Sequence, residues 1–278
     1  MNENEKKNGE LVWISWSSRA IRDREGMVTE VLMIGNDITD LKRTEESLAI
    51  KTGELDSYAH VVSHDLRAPL TGITLANTAL RDGLAEIENV GSDLLESVDI
   101  IDRNLSKAFT LVNELLALAE AGQKPTHVEL VDVAKTVREI LSERSIELNR
   151  LAVKVTIDED MGVIMAHPIH VYQIFNNIIG NAERHNTSPE PSITIEYLGT
   201  DDAGAHLYKT CDNGSGIPED DLERIFTPFF KAGKGSDTGL GLAIAKRVVE
   251  VYGGNIKAHN DNGACIEFSL KDFQLSES

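Results

Sequence analysis

Between Asp93 and Glu120 apolar residues return at alternating three- and four-residue steps: Leu94, Val98, Ile101, Leu105, Ala108, Val112, Leu115 and Ala119. That period is helical, and a helix with one apolar stripe must bury it against a partner. Upstream, Asp40 or Thr39 can cap another long helix that runs with few breakers, apart from Gly53, as far as Pro69. Within it Leu41, Leu48, Leu55 and Val62 recur every seven residues, as in one seam of a coiled coil. Thr44, Lys51 and Tyr58 between them are poor core residues, so the seam should be loosely held, and an ordinary amphipathic helix fits the same pattern. The polar, glycine-bearing stretch 82–92 is the natural turn between the two helices. A helical hairpin with one apolar face follows. Two such hairpins would bury that face as a four-helix bundle, so a homodimer is expected.

From Val128 the pattern changes. Strand patterns occupy 153–158, 163–166, 193–199, 205–212, 255–260 and 265–271, with helical patterns at 132–149, 168–185, 219–225 and 240–253. Neighbouring strands among helices predict an α/β sandwich with a mixed sheet rather than a dinucleotide-binding repeat. Gly122 and Pro125 mark 121–126 as a hinge between the two domains. At the other end, 11–21 and 27–37 read as strands joined by the turn Asp23 to Gly26. A lone hairpin is marginal in water, so this start is expected to belong to something larger.

Totals exclude some functions. A formal net charge of −19 disfavours binding a nucleic-acid backbone, which needs Lys and Arg to neutralise phosphate. Cys211 and Cys265 are the two cysteines; they suggest neither a disulfide framework nor a zinc site, and a reducing cytoplasm is the simplest reading. No apolar run approaches the roughly 18 residues of a membrane span, and no signal peptide opens the chain. A cytoplasmic chain without direct membrane contact is expected.

Four short segments of the C-terminal half carry chemistry. In QIFNNIIGNAERHN, Asn177 and Asn181 lie at helical i, i+4 spacing, with Ile174, Phe175, Ile178 and Ile179 to anchor the opposite side. Amide oxygens suit a hard cation such as Mg²⁺ that shares oxygens with a nucleotide, and Arg184 can reach phosphate. The same asparagines could merely cap or bridge backbone. In CDNGSGIP, Asp212 can accept a hydrogen bond from an adenine amino group while Gly214 and Gly216 let backbone pass close to the base. Asp and Gly also make ordinary turns. IFTPFFKAGKGSD places Phe226, Phe229 and Phe230 before a Gly/Lys stretch beginning at Lys231. TGLGLAIAKRVVEVYGG opens an apolar helix on Gly239 and Gly241, where backbone N–H groups can receive phosphate oxygens, or where glycine simply allows a tight turn into the helix.

Taken in order, Asn181, DNGSGIP, FTPFF and GLGLAI resemble the N, G1, F and G2 boxes of the GHKL ATP-binding fold, over about residues 125–271. The resemblance implies a Mg²⁺-binding role for Asn181 supported by Asn177, and phosphate contacts from Arg184 and, more weakly, Lys231. It implies adenine reading by Asp212, with Gly214, Gly216, Gly239 and Gly241 as the glycines of the two loops. A short lid would span 231–238. SHDLRAPL, residues 63–70, resembles the H-box of the dimerising phosphoacceptor domain of histidine kinases, over about 52–120. An imidazole nucleophile needs one free nitrogen and a neighbour to hold the other nitrogen's proton. The resemblance gives His64 the nucleophile's part and Asp65 the orienting part, with Arg67 supporting incoming phosphate. Pro69 permits a bend beside the site. Without its context a lone histidine on a helix would be an ordinary surface residue, and SHDLRAPL with the downstream boxes reverses that reading; His60 with His64 lacks a third ligand for a metal.

The resemblance therefore implies a sensor histidine kinase fragment: ATP and Mg²⁺ as cofactors, autophosphorylation of His64, and transfer to an aspartate of a response-regulator receiver domain. A scaffold without its own ATP chemistry would be expected to lack Asn181, Asp212 or the G1 glycines. Ala68 stands where phosphatase-active relatives often carry Thr or Asn, so weak phosphatase activity is expected. The strands followed by GNDITDLKRTEESL resemble the end of a PAS sensor domain. The implied division is 1–38 PAS remnant, 39–56 signalling coiled-coil helix, 57–121 dimerisation and phosphotransfer domain, and 127–273 ATP-binding domain. A parent with upstream sensor modules is implied, and membrane anchoring of that parent is left open.

Overall fold

The computed structural model describes residues 2–5, 11–22, 26–85, 87, 91–231 and 238–274; the side chains of 2–5, 45–62 and 64 are not described. The chain divides into two compact units, 1–58 and 59–278.

The first unit opens with β1 (Asn2–Glu5), β2 (Leu11–Arg22) and β3 (Val28–Asp37), an antiparallel sheet in that order. β1 was not expected; its Asn- and Glu-rich sequence has no strand pattern, and pairing with Leu11–Ile14 makes it one. Helix α1 (Thr39–Ala85) leaves the sheet at once. Neither Thr39 nor Asp40 caps it as expected. Asp37 Oδ1 accepts from the Thr39 amide (3.0 Å) and hydroxyl (2.6 Å), while the Trp13 amide donates to Thr39 Oγ1 (3.0 Å). The cap thus comes from the end of β3 and ties helix to sheet. Leu48, Leu55 and Val62 of the expected seam have side chains outside the described residues.

In the second unit α1 continues through Pro69 to Ala85 and is followed by α2 (Ser92–Ala121). The single stripe expected on α2 splits in two. Val98, Leu105, Val112 and Ala119 are buried, whereas Leu94 and Ile101 stay exposed. On α1, Leu66, Ile73 and Leu80 form another exposed stripe at seven-residue spacing. Near the turn, buried Asn77 donates to the Val98 carbonyl (3.2 Å) and to Asp102, and Arg81 pairs with Asp99 (2.8 Å) and Asp102.

The α/β part begins with β4 (Glu129–Asp132), a strand not anticipated, which pairs with β6 (Val163–Ala166) in a separate two-stranded sheet. The helix expected over 132–149 breaks at Arg144 into α3 (Val133–Glu143) and α4 (Ser145–Arg150). Strands β5 (Lys154–Ile157), β7 (Ser192–Thr200), β8 (Ala205–Asp212), β10 (Ala264–Lys271) and β9 (Ile256–Asn260) form a five-stranded sheet in that spatial order. The β5–β7 pair is parallel and the others antiparallel, so the sheet is mixed. Helices α5 (Pro168–His185) and α6 (Gly241–Val251) pack on it. The period-2 alternation explains the two layers. Ile193, Ile195, Tyr208, Ile266, Phe268 and Leu270 are buried with Phe175, Ile178 and Val248 of the helices. Outside, Glu196, Lys209, Glu267 and Lys257 follow one another across β7, β8, β10 and β9 in alternating sign. Residues 219–226 form two 3₁₀ turns, Glu219–Asp221 and Arg224–Phe226, instead of the expected helix.

The cysteines require a correction. Cys211 on β8 and Cys265 on β10, 54 residues apart, face each other in the strand register and form a disulfide. No local window reveals which strands become neighbours, so the pairing was not readable, and the cysteines no longer argue for a reducing environment. No helix among the described residues is long and apolar enough to cross a membrane.

Candidate active site

A cleft of about 1220 Å³ opens between the C-terminal half of α2 and the α/β layer. Asn177, Asn181, Arg184, Asp212, Gly216, Lys231, Gly239 and Gly241 all line it. Four segments spread over more than sixty residues therefore converge on one surface. Gly214 stands behind the wall, and its amide donates to Asp212 Oδ1 (2.8 Å). Asp65 and Arg67 are not among the residues that line the cleft. The His64 side chain lies outside the described residues; Asp65 is exposed, and Arg67 donates to Asn113 Oδ1 of α2 (3.1 Å). Of the expected lid, 232–237 lie outside the described residues.

Helix α5 supplies the first wall. Pro168 starts it and His167 caps it, its Nδ1 accepting from the Ile169 amide (3.2 Å). Ile174, Phe175, Ile178 and Ile179 are buried on its inner face, which turns Asn177, Asn181 and Arg184 toward the cleft. A second lock was missed in the sequence. Arg144, at the α3–α4 break, donates to Glu183 Oε2 (2.7 Å), Asn176 Oδ1 (3.0 Å) and the Asn176 carbonyl (3.3 Å). The Glu183 side chain is 2% exposed and that of Arg144 23%, so the carboxylate is closed off from water while the guanidinium keeps some contact with it. Removing the guanidinium strands a buried charge, which costs about 3–5 kcal/mol. An acidic residue between Ala182 and Arg184, on a helix already apolar inside, was the available signal; its partner 39 residues away was not.

The second wall is the end of β8. Asp212 Oδ1 accepts from the amides of Gly214 (2.8 Å) and Ala264 (3.2 Å), so one carboxylate oxygen is consumed in orienting the group and the other remains as an acceptor. Behind it, Asn213 Oδ1 accepts from the Ser192 amide (2.8 Å) and from Asn186 Nδ2 (2.9 Å), pinning the loop to β7.

The third wall is the loop before α6. Gly239 has φ +75°, and a Cβ there would lie 2.5 Å from the Phe230 carbonyl oxygen, so glycine is required. Its own carbonyl accepts from the Phe229 amide (2.9 Å). Phe226 is buried, and the Arg224 guanidinium stacks 4.6 Å over the Phe230 ring, a role not anticipated. On the α2 side, Thr238 donates to Glu114, and Arg247 of α6 donates to the Leu118 carbonyl (2.8 Å).

Charge is distributed unevenly. In a chain of net charge −19, this cleft is lined by Lys107, Arg184, Arg224 and Lys231 against Glu114, Asp212 and Asp221, with Arg224 paired to Asp221 (3.1 Å), so its lining carries a small positive excess. Such an excess favours a polyanion. Away from it, burial holds His170 down to about 4, reinforced by nearby His167; its Nδ1 lies 3.0 Å from the Tyr252 hydroxyl.

Comparison with known proteins agrees with this geometry. Residues 166–274 match the family model of the histidine kinase-, DNA gyrase B- and HSP90-like ATPase, and residues 55–124 match the His Kinase A phospho-acceptor domain. The chain is 26% identical over 272 residues to the methanogenesis regulatory histidine kinase FilI of Methanothrix harundinacea, covering 94% of this chain and 30% of that protein. It is 33% identical over 279 residues to the sensor protein KdpD of Clostridium acetobutylicum, covering 94% and 30%. The chain thus spans about a third of the length of these curated relatives. Among solved structures, full-length ShkA in complex with AMPPNP superposes with a TM-score of 0.64 at 22% identity, covering 78% of this chain and 46% of that one. Histidine kinase ThkA in complex with the response regulator protein TrrA gives 0.54 at 21%, covering 98% and 78%; both likenesses speak to fold. With a phospho-acceptor helical region followed by an ATPase domain whose four boxes meet in one cleft, the chain belongs to the sensor histidine kinases.

Proposed function

We propose that this chain transfers the γ-phosphoryl group of ATP to His64 and then passes it to an aspartate of a response-regulator receiver domain. The observation that carries the reading is the convergence of Asn181, Asp212, Gly216, Gly239 and Gly241 on one cleft, in a chain that also bears the H-box. Asp212, held by two amides, offers its second oxygen to the adenine amino group. Arg184 and Lys231 neutralise phosphate, and the Gly239–Gly241 loop supplies N–H donors at the start of α6. The donor set fits Mg²⁺, since the amide oxygens of Asn181 and Asn177 on the cleft wall are neutral hard ligands. Bound there, the ion would supply charge neutralisation to the phosphate groups.

The His64 imidazole attacks phosphorus with one nitrogen while Asp65 holds the proton on the other; ADP leaves and a phosphohistidine forms. Asp65 and Arg67 of the H-box do not line the cleft, so on this reading the ATP-binding domain turns about 121–126 to bring nucleotide and phosphoacceptor together. The Arg247–Leu118 and Thr238–Glu114 contacts with α2 are the ones such a turn breaks. The reading assigns 1–38 to a PAS remnant, 39–56 to a signalling helix, 57–121 to the dimerising phosphoacceptor domain and 127–273 to the ATP-binding domain. The exposed stripes Leu66, Ile73, Leu80 and Leu94, Ile101 support a homodimer through the hairpins. Exposed Ala68 offers no hydrogen bond to an attacking water, which supports weak phosphatase activity.

The test is incubation with γ-labelled ATP and Mg²⁺. Acid-labile label is expected on the wild type and is lost in His64→Gln. Intact, dimeric protein that binds ATP yet never carries label would replace the kinase with a phosphate-passing scaffold.

A further inference from the structure

We infer that Asn260, which lies outside all four motif segments, is a positioning residue for the base-binding loop and sets the protein's affinity for adenine nucleotides. The inference rests on reading the cleft as a nucleotide site.

Asn260 is the last residue of β9, and its exposed side chain grips one residue of the loop 43 positions away from both sides. Its Oδ1 accepts from the Ile217 amide (2.8 Å), and its Nδ2 donates to the Ile217 carbonyl (2.7 Å). An amide side chain that satisfies both backbone groups of one residue fixes that peptide in position and orientation, as a neighbouring strand would. The loop lies directly on it. Gly216 has φ +75°, and a Cβ there would fall 2.7 Å from Asn260 Oδ1. Ser215, Gly216, Ile217 and Pro218 all line the cleft, so whatever holds Ile217 holds that stretch of wall.

The same end of the β9–β10 hairpin also holds the carboxylate. Asn260 pairs in register with Ala264, and the Ala264 amide donates to Asp212 Oδ1. One turn, Asp261 to Gly263, therefore fixes two things relative to each other: the loop that passes the base and the acid that reads it. Gly263, at φ +156°, allows this, because a Cβ there would lie 2.0 Å from the Asp212 carbonyl oxygen. Since the Asn260 side chain is exposed, losing it uncovers no core, and the fold should survive. Its loss should instead let the loop and Asp212 drift apart, weakening base recognition while leaving the phosphoryl-transfer groups in place.

The experiment uses the whole chain and measures Mg·ADP and Mg·GDP affinity by calorimetry, with labelling at saturating ATP alongside. Asn260→Ala removes both bonds; Asn260→Asp is isosteric, keeps the acceptor and removes the donor. The expected result is an ADP Kd raised about tenfold in Asn260→Ala, and at least as much in Asn260→Asp, whose second carboxylate oxygen faces the Ile217 carbonyl oxygen. The preference for ADP over GDP should narrow, and the label rate at saturation should stay within about twofold. Folded variants with unchanged ADP affinity overturn the inference. So does a parallel fall of affinity and rate that tracks the unfolded fraction, which would make Asn260 a general stabiliser. A wild type that binds ADP but never labels His64 sinks the kinase reading alone, and the Kd ratios still decide on Asn260. A wild type that binds no nucleotide sinks both.

Discussion

The helical hairpin and the α/β domain bury apolar residues in different ways. In the α/β domain the described strands and helices close on their own core, with Ile140, Ile174, Phe175, Ile179, Ile195, Tyr208 and Ile244 at 2% exposure or less. In the hairpin one stripe of α2 is covered together with Asn77 and Leu84 of α1, while among the described residues Leu66, Ile73, Leu80, Leu94 and Ile101 are each more than a third exposed. One region is complete as a single chain and holds a whole site. The other leaves apolar stripes exposed, as half of the proposed dimer would. On the proposed function, the two tasks of holding nucleotide and rearranging around a phosphoacceptor would fall to different regions: a closed domain for binding, and helices whose stability depends on assembly for signalling.

The sharpest way to break this contrast is chemical. Asn181→Ala should cut ATP-dependent label by more than about a hundredfold, while leaving helicity and self-association unchanged, because it acts on phosphoryl transfer alone. Ile73→Asp should do the reverse. An unpaired carboxylate buried in the bundle costs several kcal/mol, so self-association measured by sedimentation should weaken by about a hundredfold or more with nucleotide affinity retained. If Ile73→Asp leaves the dimer intact, the exposed stripes are not its seam.

Within the α/β domain, Arg144→Gln should lower stability by about 3–5 kcal/mol in chemical denaturation, by leaving the buried Glu183 carboxylate without its counter-charge. Next comes the cross-strand link. Cys265→Ser should cost about 2–4 kcal/mol, since the bond closes a 54-residue loop, and reductant should destabilise the wild type but not the variant. Equal melting with and without reductant would refute the pairing. The smallest effect is acid sensitivity through His170. Its folded value of about 4 lies below the usual 6.5, so the unfolded chain binds the extra proton. The stability this contributes is fully present above pH 6.5 and is lost as pH falls toward 4, by about 1–3 kcal/mol. His170→Gln should flatten that part of the stability profile.

Much of this was legible in the sequence, because it is written in short windows. Helical and strand periods located α2, α5, β7, β8 and β10 to within a residue or two at most ends, and β6 by its residues alone. The residues of the cleft were also legible, since Asn181, Asp212, Gly216 and the Gly239–Gly241 turn each sit in a segment whose local chemistry is distinctive. The helix expected over 132–149 was not, because its apolar spacing continues through Arg144 while the chain breaks there to send the guanidinium across α5.

What the sequence by itself determined is therefore local: where helices and strands lie, which faces are apolar, and which side chains could bind phosphate, base or cation. The tertiary structure alone decided the partners. It pairs Cys211 with Cys265, Arg144 with Glu183 and Asn260 with Ile217, and it makes a strand of Glu129–Asp132 by setting it beside β6. It also divides one stripe of α2 into a buried row and an exposed row. The physical reason is the same in each case. A residue's period follows from its near neighbours, but its contact depends on the register between segments tens of residues apart, which only the packing of the whole core can set.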